Sequence, residues 1–146
     1  MVVPVDGGPA DFPSIDLASA LTNRTGRIHL ILVYVVEVPQ RFPLDADLPE
    51  LIAIGEEVLQ RAEDHARERG GHPWASVTTT LLQARLAAAA IVDEAIERGA
   101  DTIVLGTTNQ RRYGQLTQGD VAPYVLDNAP CDVILLRIAG EIGEAR

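Results

Sequence analysis

The chain has 146 residues, and its 12 basic and 21 acidic side chains give a formal net charge of −9 at neutral pH. This length and a hydrophobic fraction of 47% are typical of one folded domain, and the acidic balance argues against a nucleic-acid partner, because a phosphate backbone would be repelled. All 12 basic residues are arginines, which excludes chemistry that requires lysine, such as a Walker-type phosphate loop or a Schiff base.

Residue usage and the apolar pattern exclude two further classes of protein. Cys131 is the only cysteine, so an internal disulfide and a zinc site made of cysteines are both excluded, and a reducing compartment suits the chain. No apolar run reaches the roughly 18–20 residues of a membrane span, and the first residues lack the basic segment of a signal peptide. We therefore expect a cytoplasmic location in a bacterium or archaeon, without direct insertion into a membrane.

Apolar segments with extended and helical periods alternate along the chain. In chain order they predict a strand at 2–5, a helix at 13–25, a strand at 28–36, a helix at 49–69, a strand at 76–82, a helix at 87–98, a strand at 102–105, a helix at 119–128 and a strand at 132–138. The strand at 28–36 is almost continuously apolar, as is typical of a central parallel strand covered on both faces. Such alternation favours a mostly parallel sheet with helices on both sides.

The pattern indicates a single domain. Residues 1–139 carry all of the predicted elements, and residues 140–146 are predicted to form a loose carboxyl-terminal tail. The sequence contains no internal repeat and no composition shift that would mark a second domain.

Two predicted strand ends are rich in glycine and are candidate edges of a ligand cleft. Asp6-Gly7-Gly8 follows the first strand and Gly106 follows the fourth, where glycine permits a sharp turn and the close approach of a ligand. The loop after the fourth strand ends at Gly119, directly before a helix whose first N–H groups favour anions such as phosphate. These residues indicate a nucleotide-like cleft or, alternatively, glycines that serve only as turns.

Segments spread over nearly the whole chain resemble the universal stress protein domain. The matching segments are Val3-Pro4-Val5-Asp6-Gly7, Arg24-Thr25-Gly26, Tyr34-Val35-Val36-Glu37, residues 99–106 (GADTIVLG) and residues 128–133 (NAPCDV). The resemblance implies a three-layer α/β/α domain of the adenine-nucleotide α-hydrolase-like type, with five mostly parallel strands in the order 3-2-1-4-5. It also implies a homodimer that pairs through the strand at 132–138, whose apolar edge would otherwise be open.

The ATP-binding branch of that family has the loop pattern G-x2-G-x9-G-[S/T], which this chain matches in part. Gly106 and Gly119 occupy the first and third glycine positions, whereas Asn109 replaces the second glycine and Asp120 replaces the hydroxyl residue. A carboxylate at position 120 would repel a phosphate at ~4 Å by roughly 1–4 kcal/mol. The same carboxylate is well suited to cap the helix that follows it.

The resemblance assigns further ligand contacts. Asp6 matches the position that contacts adenine or ribose, with a simple Asx turn as the alternative, and Val35 lies on the strand whose backbone faces the base, with a core position as the alternative. Arg111 and Arg112 are candidate phosphate contacts or solvated side chains. The implied nucleotide-binding set, for ATP or AMP without a metal site, is Pro4, Asp6, Val35, Gly106, Thr107, Asn109, Gly119, Asp120 and Val121.

A narrower resemblance is to stress-protein domains attached to amino-acid permeases of the amino acid–polyamine–organocation type. It rests on residues 36–39 (VEVP), 43–49 (PLDADLP), 82–85 (LQAR), 90–95 (AIVDEA), 111–114 (RRYG) and 123–126 (PYVL). Those domains lie in the cytoplasm beside the membrane part of the transporter. The resemblance implies that this chain is either such a soluble domain or a free-standing relative.

The sequence shows no catalytic constellation, and the chain is predicted not to be an enzyme. His29, His65 and His72 fall in different predicted elements, at spacings unlike those of a helix metal site. Cys131 has no His or Asn near it in the sequence and is interpreted as a buried structural thiol.

Three functions remain after this reading of the sequence. The first is a nucleotide-sensing module. The second is a protein-interaction module, such as a transporter regulator, whose cleft is empty or closed by Asp120 and Asn109. The third is a weak ATPase, for which Asp120 or Asp6 would have to supply the metal-binding carboxylate.

Overall fold

The computed structural model describes residues 1–22, 28–68, 74–108 and 121–139. Within these ranges the strands are β1 (Val2–Pro4), β2 (Ile28–Glu37), β3 (Trp74–Ala84), β4 (Thr102–Thr108) and β5 (Asp132–Ile138). The helices are α1 (Asp11–Thr22), α2 (Pro49–Glu68), α3 (Ala87–Glu97) and α4 (Val121–Asn128). Each helix lies between two strands in chain order, as the alternating periods of the sequence predict.

The strands form one sheet in the order β3-β2-β1-β4-β5, and every neighbouring pair is parallel. This arrangement confirms the predicted fold class and strand order, and it places β5 at an edge of the sheet. The short β1 lies at the centre, where it pairs with β2 on one side and with β4 on the other. Because all strands run the same way, the carboxyl ends of β1, β2 and β4 meet at one end of the sheet.

The apolar run of β2 supplies side chains to both faces of the sheet. Leu30 and Leu32 belong to a buried cluster on the side of α1 and α2, whereas Ile31 and Val33 belong to a buried cluster on the side of α3 and α4. Alternate residues of a strand point to opposite faces, so a strand covered on both sides has to be apolar at nearly every position.

Within the described residues, three elements differ by two residues or more from the sequence-based prediction, and β1, β2 and α3 differ by one residue at their ends. β4 continues through Thr108 and does not end before Gly106, because its last residues stay paired in register with β5. β3 extends two residues further at each end, since it stays paired with β2 along its length. α1 begins at Asp11, two residues earlier than predicted, and the N–H of Ser14 already bonds the carbonyl of Ala10 in its first turn.

Some predicted features lie outside the described residues. They are the end of the first helix at 24–26, the phosphate loop from 109 to 120 and the tail at 140–146. None of the helices in the described ranges combines the length and the apolar character that crossing a membrane requires.

Candidate functional site

A cavity of about 260 Å³ opens at the carboxyl ends of the strands, beside the first turns of α1, α3 and α4. One wall is apolar and includes Val33 and Val35 of β2 and Ile91 of α3. A further part of the lining is the turn between β1 and α1, which contributes Asp6 and Asp11. Open parallel α/β sheets bind their ligands in a crevice at this end of the strands, so the cavity is the candidate site of the molecule.

The topology brings predicted site residues from distant parts of the sequence to this one cavity. Six predicted nucleotide-binding residues lie in the described ranges, and all six line the cavity: Pro4, Asp6, Val35, Gly106, Thr107 and Val121. The other predicted contacts lie outside the described residues: Asn109, Arg111, Arg112, Gly119 and Asp120.

Two carboxylates hold the β1–α1 turn by accepting its backbone N–H groups. One oxygen of Asp11 accepts from the N–H of Asp6 at 3.1 Å, and the other accepts from the N–H of Gly7 at 2.7 Å. The Asp6 carboxylate accepts from the N–H of Gly8 at 2.7 Å, which is the predicted Asx turn. Gly7 has a φ of +85°, which only glycine adopts without strain. Three successive N–H groups are therefore satisfied within the protein, and the backbone around Asp6 is fixed.

The Asp11 carboxyl group is buried beside a second carboxyl group. The residue is only 8% exposed. This burial and the negative charge of the neighbouring Asp6 raise the pKa of Asp11 to about 7. The hydrogen bonds from the N–H groups of Asp6 and Gly7 lower the pKa but do not offset the increase. Burial and the charges of Asp6 and Asp11 also raise the pKa of Tyr34 on β2. The Asp11 carboxyl group therefore gains or loses its proton near neutral pH.

β4 passes so close to α1 that only glycine fits at position 106. A Cβ on Gly106 would overlap Ser14 Oγ and would lie 3.0 Å from both Cβ and the carbonyl oxygen of Ala10. Ser14 is buried, and its hydroxyl donates to the Ala10 carbonyl at 2.7 Å. The prediction that Gly106 forms a turn after the strand is wrong. It lies inside β4 and allows the first turn of α1 to approach the cavity.

A carboxylate also occupies the start of α3, on the apolar side of the cavity. Glu37, the last residue of β2, accepts with Oε2 from the N–H of Ala87 at 2.9 Å. The residue that precedes α3, Leu86, has no capping side chain, so Glu37 supplies the missing acceptor from a distant part of the sequence. The amino terminus of α3 is thus already provided with a negative charge.

The described lining of the cavity is acidic. Asp6 and Asp11 both contribute carboxyl groups, and none of the described lining residues is lysine, arginine or histidine. Carboxylates attract hydrogen-bond donors such as hydroxyl and amino groups and repel phosphate. The β1–α1 side of the cavity therefore suits the uncharged end of a ligand.

Other candidate chemistry finds little support in the described ranges. Cys131 is half-buried and not buried as predicted, since it lies directly before the edge strand β5. Burial raises the pKa of its thiol, as do Asp132 and Asp101, and this opposes the formation of a reactive thiolate. Among the described residues, no group of three histidine, cysteine or acidic side chains could hold a metal ion.

Among the lining residues that sequence reasoning missed are two polar residues at the start of α1. Asp11 and Ser14 line the cavity, and both belong to the first turn of α1. A signal for Asp11 was present, since an acidic residue shortly after a glycine turn is typical of the first turn of a helix. Ser14 gave no comparable signal, because its role follows from the closeness of Gly106 in space.

The sheet order and the position of the cavity define an α/β domain of the adenine-nucleotide α-hydrolase-like type. The model of the universal stress protein family matches residues 1–137, and the chain therefore belongs to that family.

Individual relatives agree with this assignment. Universal stress protein MJ0531 of Methanocaldococcus jannaschii is 28% identical over 143 residues, which cover 94% of this chain and 81% of the relative. The solved universal stress protein of Archaeoglobus fulgidus is 26% identical, with a TM-score of 0.71 over 92% of this chain and 95% of that one. A second Archaeoglobus fulgidus structure, in complex with dAMP, is 24% identical, with a TM-score of 0.69 over 92% and 94% of the two chains.

Proposed function

We propose that this protein is a regulatory stress-response domain that binds an adenine nucleotide, ATP or AMP, in the cavity at the carboxyl ends of its strands. The observation that carries the proposal is that the six described residues implied by the family resemblance line a single cavity. The structure of an Archaeoglobus fulgidus universal stress protein in complex with dAMP supports it, since that protein has the same fold.

The chemistry of the cavity suggests how the two ends of a nucleotide would be bound. The apolar side chains of Val33, Val35 and Ile91 suit a flat base, and the Asp6 carboxylate can accept hydrogen bonds from ribose hydroxyl or adenine amino groups. The phosphates would lie towards the start of α4 at Val121, where N–H groups favour anions.

The predicted phosphate loop completes this assignment. It would contribute Asn109 and Gly119 to the same end of the ligand, with Arg111 and Arg112 as its cationic contacts. In this proposal the protein binds the nucleotide and does not hydrolyse it. Release of phosphate from ATP, with magnesium or manganese present, would contradict that part of the proposal.

A second candidate function is a protein-interaction module that binds no nucleotide, such as the cytoplasmic regulatory domain of an amino-acid permease. The observation that favours it is the acidic described lining, in which Asp6 and Asp11 have no basic counterpart. This arrangement weakens the attraction for a phosphate group. The two candidates differ in whether the purified protein binds a nucleotide at all.

Titration calorimetry with ATP, AMP and adenosine, in the presence of magnesium, tests the proposal. Micromolar binding of any of the three is the expected result. The Asp6→Asn variant should bind at least tenfold more weakly, because a hydrogen bond to a charged acceptor is worth roughly 1.5–3 kcal/mol. Asp93→Asn, the same change at an exposed position of α3, should bind like the wild type. No heat up to millimolar ligand would overturn nucleotide binding and favour the interaction module.

We also propose a homodimer that pairs through β5. This strand lies at the edge of the sheet, and Leu135 is 41% exposed on it. An exposed apolar edge strand invites pairing with a second chain. Sedimentation analysis should give a dimer for the wild type and a monomer for Leu135→Glu, whereas a wild-type monomer would contradict the proposal.

A further inference from the structure

Among the described lining residues, Asp11 is the carboxylate that accepts from the backbone of Asp6, the residue proposed to contact the ligand. It accepts from the N–H of Asp6 at 3.1 Å and from the N–H of Gly7 at 2.7 Å. Its own N–H donates to the Gly8 carbonyl at 3.2 Å, so the start of α1 and the turn are joined in both directions. Asp6 itself is exposed to the cavity, while Asp11 is 8% exposed.

The neighbours of this turn leave it little freedom to move. A Cβ on Gly7 would lie 3.0 Å from Cγ2 of Val58 on α2, so the turn also packs against that helix. On the other side, Gly106 of β4 packs against the same first turn of α1 that carries Asp11. The direction of the Asp6 side chain is therefore set by its backbone, which donates to Asp11, and by the bond that its carboxylate accepts from the N–H of Gly8 at 2.7 Å.

We infer that Asp11 is a positioning residue of the cleft, which fixes the direction of the Asp6 carboxylate and so determines the affinity for ligands that donate hydrogen bonds to it. This inference rests on the proposed nucleotide function for its ligand. Adenosine is the sharpest probe, because it carries ribose hydroxyl groups and an amino group but no phosphate.

The protonation of Asp11 makes its positioning role dependent on pH. The titratable groups that act together here are Asp6 and Asp11 of the turn and Tyr34 of β2, while Gly106 of β4 and Val58 of α2 face the turn as uncharged groups. Ionised Asp11 accepts both N–H groups through charge-assisted hydrogen bonds, whereas a proton on one of its oxygens weakens its hold on the turn. Since the pKa of Asp11 is about 7, adenosine should bind about tenfold more tightly at pH 8 than at pH 6.

Two substitutions separate positioning from a merely structural role. Asp11→Ala removes both bonds to the turn, and adenosine should bind at least tenfold more weakly at every pH. Asp11→Asn keeps one acceptor and cannot ionise, so its affinity should stay at the wild-type level of pH 6 and show no change up to pH 8. Asp93→Asn is the matched control and should keep the wild-type pH profile.

Amide hydrogen exchange of Asp6 and Gly7, measured without ligand, distinguishes the failure of this inference from the failure of the proposed function. Protection of both amides in the wild type, with its loss in Asp11→Ala, is the expected result. If the wild type binds adenosine and Asp11→Ala binds it equally well, the inference is overturned while the proposed function stands. If the wild type binds no nucleotide, the proposed function fails, and unchanged exchange in Asp11→Ala would then overturn the positioning of Asp6 as well.

Discussion

Replacing Asp11 by asparagine should make the protein more stable at pH 8, although it removes a hydrogen-bonded carboxylate. Burial and the neighbouring Asp6 raise the pKa of Asp11 to about 7, against an ordinary value of 3.8. The folded protein thus binds this proton more tightly than the unfolded chain does. The stability that the protonated group contributes is fully present below pH 3.8 and is lost as the pH rises through about 7.

The size of this effect follows from the displacement of the pKa. Each pH unit of displacement is worth about 1.4 kcal/mol, so ionisation of Asp11 lowers the free energy of unfolding by at most roughly 4 kcal/mol at pH 8. That is a large share of the 5–15 kcal/mol that holds a typical domain folded. An asparagine resembles the protonated acid in carrying no charge and keeps one acceptor oxygen, but its NH2 group faces one of the N–H groups of Asp6 and Gly7, which offsets part of the gain.

Urea denaturation of the wild type and of Asp11→Asn, at pH 5 and pH 8, measures the effect. The variant should exceed the wild type in free energy of unfolding by about 1–2 kcal/mol at pH 5, where the unfolded carboxyl group is already ionised, and by up to about 4 kcal/mol at pH 8. Asp93→Asn serves as the control for loss of an acidic group from an already acidic chain. If Asp11→Asn is less stable than the wild type at both pH values, the two N–H bonds outweigh the burial of the charge, and the reasoning is refuted.

Two glycines should resist substitution for reasons of packing. Gly106→Ala should lower the free energy of unfolding by about 1–3 kcal/mol, since its Cβ would overlap Ser14 Oγ. In urea denaturation, adding Ser14→Ala to this variant should restore part of the loss. Additive losses in the double variant would contradict the contact. Gly55→Ala should destabilise α2 despite a gain of about 1 kcal/mol in helix propensity, because its Cβ would lie 2.6 Å from Cδ1 of Tyr34. A higher melting temperature for Gly55→Ala would show that the Tyr34 ring moves aside at little cost.

The sheet could be predicted from the sequence because its evidence is local. β2 is apolar at nearly every position since helices cover both of its faces, and β5 has the predicted bounds of 132–138. The strand order came from the family resemblance and not from the periods of the apolar residues. The end of β4 was misplaced, because its last residues, Thr107 and Thr108, are held by pairing with β5, which a local pattern does not reveal.

Most of the candidate site was predicted through the family resemblance, and only some of its residues also have a local signature. Asp6 and Gly106 were found because they belong to glycine-rich segments, yet Gly106 was given the wrong structural role, since the need for glycine comes from Ser14 in space. Asp11 was missed because its two bonds run backwards along the chain to N–H groups four and five residues earlier. Glu37 was not predicted as the cap of α3 because the two are 50 residues apart.

The predictions for Asp11 give this residue opposite effects on the stability of the fold and on ligand binding. As a buried carboxylate beside Asp6 it lowers stability at neutral pH by the cost of its charge, which an asparagine would not carry. As the acceptor for the N–H groups of Asp6 and Gly7 it holds the turn that carries the Asp6 carboxylate, most firmly when it is ionised. A residue that lowers stability but improves ligand binding is typical of a functional site, where selection acts on binding. An Asp11→Asn protein that is more stable at pH 8 and also binds adenosine more weakly there would display both effects in one variant. A variant that gains stability and keeps full affinity would leave the buried charge without a role in binding.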